Sequence, residues 1–364
     1  MQDPYQVMTQ WSNRDPLNKL KAQAIVDNTI QIKCYAFGLT QMASALNQRI
    51  ELVGFIDDFT KQTEFEGKPI VKLEQLAHEA DVVIINCVNL AKPRTALNRI
   101  KQLGFSDILH YHDFLKVDTE LMLPDFIQEA RHDVLMNYQR WHYVYLQLAD
   151  ATSREIFNNV YCYRLTGDPS YTRDYSFTPT EQYFEDFMQY QQEVFVDAGG
   201  FTGDTTEEFC LRYPDYSKVF LIEPGQDSMR QAKERLADFN NIIYVPKGVS
   251  DKVESLAFSD DLGSSSLINE QGSQVIDVAP IDDLVNEPVS VIKMDLEGWE
   301  MNALRGSAQH ILNDHPKLAI SVYHKTQDIW QIYEYIMSLR QDYTIYLRHY
   351  SEARTETIMF FMPK

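Results

Sequence analysis

The sequence predicts an α/β protein with two separate parallel sheets, and two observations indicate this class. Short apolar runs alternate with helical segments over residues 30–118 and again from about residue 191. Between them, apolar and aromatic residues mostly follow helical spacing. We therefore expect an N-terminal α/β domain at residues 1–118, a helical connector at 119–185 and a larger α/β domain at 186–364.

The first α/β region alternates strand and helix in a regular order. We predict strands at 30–38, 50–58, 80–88 and 107–114, and helices at 40–49 and 94–105. This alternation is typical of a parallel sheet covered by helices on both faces. In the connector, residues 124–165 contain no glycine and are rich in tyrosine and phenylalanine, so we expect packed helices followed by a loop at 166–180.

The second α/β region returns to strands that end in polar or charged residues. The expected strands are 193–200, 218–225, 241–250, 289–298 and 317–325. The polar turn "SEARTE" separates two further apolar stretches, 343–350 and 357–364. We expect these two to form an antiparallel hairpin added to the edge of the parallel sheet.

The composition excludes several classes of partner. The chain has 364 residues and a formal net charge of −20, without a local cluster of basic residues, which disfavours nucleic acid and anionic lipid. Its cysteines are far apart and show no C-x-x-C spacing, which indicates thiols in a reducing compartment (Cys34, Cys87, Cys162, Cys210). The sequence shows neither a signal-peptide core nor an apolar stretch that could span a membrane, so we expect a cytoplasmic protein.

The segment "EVFVDAGGFTGDTTEEF", residues 193–209, predicts a strand, a glycine-rich turn and a helix that together bind a nucleotide. Asp197 ends the strand, Asp204 begins the helix, and no lysine or arginine lies between Val194 and Phe209. A diphosphate is poorly matched to two carboxylates without a cation. The positively charged cofactor S-adenosylmethionine is a better match, and the P-loop lysine of ATP and GTP sites is missing.

A second acidic residue follows at the spacing expected for a ribose-binding carboxylate. Glu223 ends the strand "KVFLI" and lies 24 residues after Gly199. Such a residue accepts hydrogen bonds from ribose hydroxyls in binders of both NAD and S-adenosylmethionine, so it does not choose between them. The acidity of the preceding loop favours S-adenosylmethionine.

Residues 289–312 carry an apolar strand, the pattern I-K-x-D-x-E-G-x-E and a helix with L-x-G. This signature resembles that of the FkbM-type methyltransferase family, class I enzymes that use S-adenosylmethionine and mostly O-methylate sugars and other small hydroxylated metabolites. The stretches "FVDAGGFTGDTT", "LIEPG", "GVSDKVESLAF" and "LRHYSEARTETIMFF" also resemble the family's segments, so the resemblance covers about residues 180–364. This sequence departs from the family pattern at Gly200-Phe201, where Ala-Asn or a similar pair is usual.

The resemblance implies a class I methyltransferase sheet and a set of cofactor-binding residues. The set carried over onto this sequence is Asp197, Gly199, Gly200, Thr202, Gly203, Thr205, Glu223, Pro224, Gly248, Val249 and Asp295. It also implies a hydroxylated small-molecule or glycan acceptor.

Methyl transfer to oxygen requires a group that removes the proton of the acceptor hydroxyl. Asp295, Glu297 and His324 follow neighbouring strands, beside the expected cofactor site, and are the candidate catalytic residues. They form either an acid–base set or the ligands of a divalent metal ion. Alternatively, Glu297 caps the helix that begins near Trp299.

The N-terminal domain resembles, more weakly, degenerate Rossmann-like domains fused to sugar-modifying enzymes. Its first loop, "YAFGLTQMA", retains Gly38 but lacks G-x-G-x-x-G, which disfavours a working NAD site. We expect this domain to act first as a scaffold, with binding of a nucleotide sugar or a carrier as the second expectation. Two alternatives to a methyltransferase stay open: a nicotinamide-dependent sugar dehydrogenase or epimerase that uses this domain, and a non-catalytic protein that binds the cofactor.

Overall fold

A computed structural model describes residues 1–77, 79, 81–89, 92–259, 267–268 and 274–364, with the backbone alone for 258, 259, 267 and 268. The chain divides into two compact units that are discontinuous in sequence. Unit 1 comprises residues 1–138, 157–177 and 351–355, and unit 2 comprises 139–156, 178–350 and 356–364.

Unit 1 is built on a mostly parallel sheet with the strand order β3-β4-β2-β1-β5-β6. All neighbours are parallel except β3 and β4, and the order reverses between β1 and β5. The strands are β1 (Lys33–Phe37), β2 (Leu52–Ile56), β3 (Glu64–Phe65), β4 (Lys68–Val71), β5 (Val82–Asn86) and β6 (Ile108–His110). The helices are α1 (Pro4–Asn13), α2 (Pro16–Val26), α3 (Gln41–Asn47), α4 (Pro93–Gln102) and α5 (Tyr111–Leu115).

Local signals explain where several helices of unit 1 begin. Asp3 accepts hydrogen bonds from the backbone amides of Tyr5 and Gln6 at the start of α1, and Thr40 accepts one from Ala43 in α3. The predicted strand 107–114 is wrong in its second half. Its chain turns into α5 after His110, whose amide donates to the side chain of Asp113.

Two long helices occupy the segment predicted as a connector, and each contributes to both units. They are α6 (Asp125–Gln147) and α7 (Ala151–Thr166), and α6 is kinked at Asn137, where φ is −123° and ψ is 21°. Ala80, the first residue of the predicted strand 80–88, lies outside the described residues. Of the described helices, none is long and apolar enough to cross a membrane.

The main sheet of unit 2 has the strand order β16-β17-β15-β14-β7-β8-β9. Its order reverses between the parallel neighbours β7 and β14, which puts the ligand-binding crevice of an open α/β sheet at their carboxyl ends. The strands are β7 (Val194–Ala198), β8 (Lys218–Ile222), β9 (Ile242–Val245), β14 (Val291–Met294), β15 (Lys317–Ser321), β16 (Tyr343–His349) and β17 (Thr357–Pro363).

The predicted antiparallel hairpin is confirmed. β17 pairs antiparallel with both β15 and β16, so β16 is the edge strand and β17 lies inside the sheet. Apart from Asp197 and Lys293, the central strands β7 and β14 consist of apolar residues, and they are largely buried, as expected for a sheet covered on both faces. The α/β class predicted from the sequence is therefore confirmed.

A second, smaller sheet of unit 2 does not appear among the sequence predictions. Its order is β10-β13-β11-β12, and it consists of β10 (Gly248–Val249), β11 (Glu254–Ser259), β12 (Leu267–Ile268) and β13 (Gln274–Ala279). The helices of unit 2 are α8 (Asp204–Arg212), α9 (Gln226–Arg235), α10 (Ile281–Leu284), α11 (Glu300–Arg305), α12 (Ala308–Asn313) and α13 (Asp328–Leu339).

Candidate active site

The glycine loop after β7 is held close to the neighbouring strands by its backbone. The amides of Gly199 and Gly200 both donate to the carbonyl of Ile222, at 3.0 and 3.1 Å. Gly199 has a φ of +77°, and a Cβ atom there would lie 2.0 Å from the carbonyl oxygen of Asp295. Only glycine fits this position, because both the conformation and the close approach exclude a side chain.

A buried ion pair corrects the prediction that no cation compensates this loop. The Nζ atom of Lys293, on β14, lies 2.9 Å from Oδ1 of Asp197 and donates to the carbonyl of Gly199 at 2.8 Å. Thr206 donates to the other oxygen of Asp197 at 2.7 Å. Burial lowers the pKa of Lys293, but the charges of Asp197 and Asp295 more than offset this effect, so its pKa is raised and it stays charged. Asp197 is therefore neutralised by a residue distant in sequence.

Glu223 follows β8 and faces the glycine loop with its carboxylate. It is buried and accepts hydrogen bonds from the amides of Phe201 at 3.0 Å and Gly225 at 2.7 Å. Phe201 has a φ of +43°, a conformation that non-glycine residues adopt infrequently. A cavity of about 790 Å³ begins at the next residue, Pro224, and is lined also by residues of α9 and β13. Its volume is in the range of small-molecule sites.

The other predicted cofactor residues lie on either side of this loop. Thr202 is buried in the turn, Gly203 precedes α8 with a φ of +79°, and Thr205 lies in the first turn of that helix, next to the exposed Asp204. Gly248 and Val249 form β10, which pairs in parallel with β13 of the small sheet.

The three predicted catalytic residues come together at the carboxyl ends of β14 and β15. Nε2 of His324 lies 3.5 Å from Oδ1 of Asp295 and 3.4 Å from Oε2 of Glu297. The imidazole is buried, with 8% of its side chain exposed, whereas Asp295 and Glu297 keep 23% and 26%. Among the described residues, none forms a hydrogen bond with Nε2.

Glu300, not Glu297, is the carboxylate at the start of α11. Its Oε1 accepts from the amides of Leu296 at 2.8 Å and Gly298 at 3.4 Å, and lies 2.8 Å from Nδ1 of His324. Glu300 is fully buried. The alternative in which Glu297 caps the helix is wrong in this structure, because, among the described residues, no side chain forms a capping hydrogen bond at the start of α11.

The buried charges of the cluster shift the pKa values of its side chains. Burial raises the pKa of Glu297 to about 7, reinforced by Asp295 and Glu300. Burial alone would lower the pKa of His324, but its hydrogen bond to Glu300 and the neighbouring carboxylates raise it to about 9. Burial and the charge of Asp295 raise the pKa of Glu356 to about 7.

Sequence reasoning missed several residues of this cluster. Tyr183 donates to Oδ2 of Asp295 at 2.9 Å and Tyr323 donates to Oδ1 at 3.2 Å. Gln182 donates to Tyr183 at 3.1 Å and to Glu356 at 2.9 Å. Tyr323 precedes His324 at a strand end and could have been found by that position. Tyr183 and Glu356 come from irregular segments, which carry no periodic signal.

Comparison with known proteins gives a family match within unit 2. Residues 197–349 match the family model described as Methyltransferase FkbM domain. No curated protein matches the chain. The crystal structure of methyltransferase FkbM from Methylobacillus flagellatus KT is similar to this chain, with 23% identity, a TM-score of 0.73, and coverage of 99% of this chain and 100% of that one.

Two other solved structures are similar over smaller parts. A rRNA methylase from Streptococcus thermophilus has 20% identity and a TM-score of 0.32, covering 48% of this chain and 88% of its own. Fibrillarin from Aeropyrum pernix, in complex with natively bound S-adenosyl-L-methionine, has 12% identity and a TM-score of 0.30, covering 47% and 67%.

Proposed function

We propose that this chain, whose residues 197–349 match the FkbM methyltransferase family model, uses S-adenosylmethionine to methylate a hydroxyl oxygen of a sugar, glycan or other small hydroxylated molecule. The observation that carries the proposal is the position of the cluster of Asp295, Glu297 and His324. It lies at the switch point of the sheet, and Asp295 follows a strand that is hydrogen-bonded to β7.

The residues around the glycine loop fit the cofactor. The carboxylate of Glu223 is suited to the ribose, and the cavity beyond Pro224 has room for the adenine ring. Asp204, Asp295 and Glu223 leave the surroundings of the glycine loop acidic although Lys293 neutralises Asp197, which favours a ligand with ammonium and sulfonium charges there. When bound, S-adenosylmethionine supplies an activated methyl group.

The catalytic cluster is suited to orient the acceptor and to take its proton. Asp295 is fixed by two tyrosine hydroxyls, which gives its carboxylate a defined direction. Glu297 and Glu356 have pKa values near 7, so each is partly ionised at neutral pH and able to accept the hydroxyl proton. His324 carries a proton at that pH and offsets part of the negative charge.

Calorimetry with the full chain tests the cofactor. We expect S-adenosylhomocysteine to bind in micromolar or tighter range, and NADH not to compete with it. Absence of binding by S-adenosylhomocysteine and S-adenosylmethionine would refute the proposal, and NADH binding at the Gly199 loop would favour the nicotinamide-dependent alternative. Mass spectrometry of small molecules that copurify with the protein then identifies the acceptor class.

A further inference from the structure

We propose that Asp295, Glu297 and His324 form a binding site for one divalent transition-metal ion. The inference builds on the methyl transfer proposed above, because the ion would lie where the acceptor hydroxyl is expected. It stands on the arrangement of these side chains and of Glu300 behind them.

The spacing of the ligand atoms fits an ion. Nε2 of His324 lies 3.5 Å from Oδ1 of Asp295 and 3.4 Å from Oε2 of Glu297, too far for hydrogen bonds of ordinary strength. Two atoms bound about 2.1 Å from a tetrahedral metal lie about 3.4 Å apart, and those of an octahedral site about 3.0 Å apart. Both carboxylates therefore lie at a suitable distance from Nε2, and rotation of the Asp295 and Glu297 side chains would bring their oxygens around one ion.

The second observation concerns the imidazole itself. His324 is more than nine-tenths buried, its Nε2 points between two carboxylates, and no described residue forms a hydrogen bond with that atom. Its Nδ1 is held by Glu300 at 2.8 Å, and Glu300 is in turn fixed by the amide of Leu296. A histidine whose second nitrogen bonds a buried carboxylate is the usual arrangement around protein metal ions.

Glu300 orients the histidine with one carboxylate oxygen and keeps the other without a hydrogen-bond partner among the described residues. Ligand atoms of Asp295, Glu300 and His324 lie within 4.8 Å of one another, so an ion could touch all three. Oε1 of Glu300 already bonds both Nδ1 of His324 and a backbone amide, whereas its buried Oε2 has no hydrogen-bond partner among the described residues. We therefore assign Glu297 to direct ligation, and Glu300 to positioning of His324 with its Oε2 as a further ligand atom. With Glu297 on the ion, Glu356 is left to accept the proton of the acceptor hydroxyl.

The surrounding charge also favours a cation. Several carboxyl groups surround one imidazole, those of Asp295, Glu297, Glu300 and Glu356. Like charges that are partly buried repel each other. The ammonium of Lys293 acts on Asp295 and Glu356 but is paired with Asp197. A divalent ion, which would displace the proton from Nε2 of His324, would relieve this repulsion more than the single positive charge of the imidazolium.

The ligand types indicate the class of metal. Two carboxylates and one imidazole suit Mn²⁺, Fe²⁺, Co²⁺ or Zn²⁺ better than Ca²⁺, which prefers a larger set of oxygen ligands. Such an ion would bind the acceptor hydroxyl and lower its pKa, which makes the oxygen a better nucleophile.

Titration of the full chain with Mn²⁺, followed by the EPR signal of the free ion, tests the site. We expect one Mn²⁺ per chain, and at least tenfold weaker binding in His324→Gln and Glu297→Gln. Pulsed EPR of the bound ion should show coupling to an imidazole nitrogen, and this coupling should vanish in His324→Gln. Asp215→Asn, which removes an exposed carboxylate of the same unit, should bind Mn²⁺ as the wild type does.

Each outcome of these measurements either supports the metal site or overturns it. Absence of Mn²⁺ binding up to 1 mM (about −4 kcal/mol), binding without nitrogen coupling, or equal loss in Asp215→Asn would overturn the proposal. Calorimetry with S-adenosylhomocysteine on the same variants reports folding and the cofactor site. Cofactor binding without Mn²⁺ binding would refute the metal site alone, and the reverse result would refute only the methyltransferase function proposed above.

Discussion

Lys293 and Asp197 are register partners on the neighbouring strands β14 and β7, and their side chains form an ion pair of 2.9 Å below the glycine loop. Lys293 also donates to the carbonyl of Gly199, so one ammonium group joins the strand end to the loop that follows it. The pair is almost completely buried, with 4% and 0% of the two side chains exposed.

Removing only the cation from this pair should be strongly destabilising. Lys293→Met leaves the buried carboxylate of Asp197 without its partner, and we expect a loss of about 3–5 kcal/mol in the free energy of unfolding. The double variant Asp197→Asn/Lys293→Met should recover part of this loss, because no charge is then buried. Urea unfolding of both variants measures the difference, and a loss below about 1 kcal/mol in Lys293→Met would contradict the role of the pair.

The close approach of Gly199 to Asp295 predicts an effect on cofactor binding. Gly199→Ala would bring a Cβ atom against the backbone, so the loop must move, and we expect at least tenfold weaker binding of S-adenosylhomocysteine.

Gly67→Ala is the matched control for this substitution. Gly67 also has a positive φ, +74°, but no atom lies within 4 Å of the added Cβ. Gly67→Ala should lower the free energy of unfolding by about 1–2 kcal/mol through backbone strain and leave the affinity for the cofactor unchanged. Equal affinities of the two variants in calorimetry would show that crowding at Gly199 has no effect on the site.

His110 predicts a pH dependence of stability in unit 1. Burial, with the neighbouring His112, lowers its pKa from 6.5 to about 4, while Asp113 and Asp168 act in the opposite direction. The unfolded chain therefore binds the proton more readily than the folded chain. The contribution of His110 to the free energy of unfolding is complete above pH 6.5 and is lost as the pH falls through about 4. Because His110 keeps some exposure, the loss in the free energy of unfolding is at most on the order of 3 kcal/mol.

Urea unfolding between pH 4 and 7 measures this effect. His110→Gln should flatten the pH profile, and the same substitution at the exposed His132 should leave it unchanged. Parallel profiles for wild type and His110→Gln would exclude His110 as the source of the pH dependence.

Glu356 is expected to contribute to turnover. Glu356→Gln keeps the shape and the contact with Gln182 but cannot take up a proton, so we expect the methylation rate to fall about 100-fold while the affinity for S-adenosylhomocysteine changes less than threefold. Release of S-adenosylhomocysteine with an accepted substrate measures the rate. Glu287→Gln, which alters an ion pair with Lys218, should retain full activity.

The sequence predicted what depends on short stretches of chain. The order of strands and helices, the glycine loop and the carboxylates at strand ends all follow from local patterns, and the structure contains them. Lys293 belongs to the I-K-x-D-x-E-G-x-E motif, but its partner Asp197 is on another strand, so the charges close to the loop in sequence do not reveal the ion pair. The hydrogen bonds from the amides of Leu296 and Gly298 to Glu300 depend on a turn in which Glu297 has a φ of +50°, which spacing alone does not predict.

The interleaved segments of the two units bear on how the protein can be dissected. A fragment that begins at residue 178 would omit residues 139–156, although Ala149 donates to Ile345 and Asp150 pairs with Arg348 within unit 2. It would also keep residues 351–355, which belong to unit 1. No single cut separates the units, so neither can be transplanted as one continuous module.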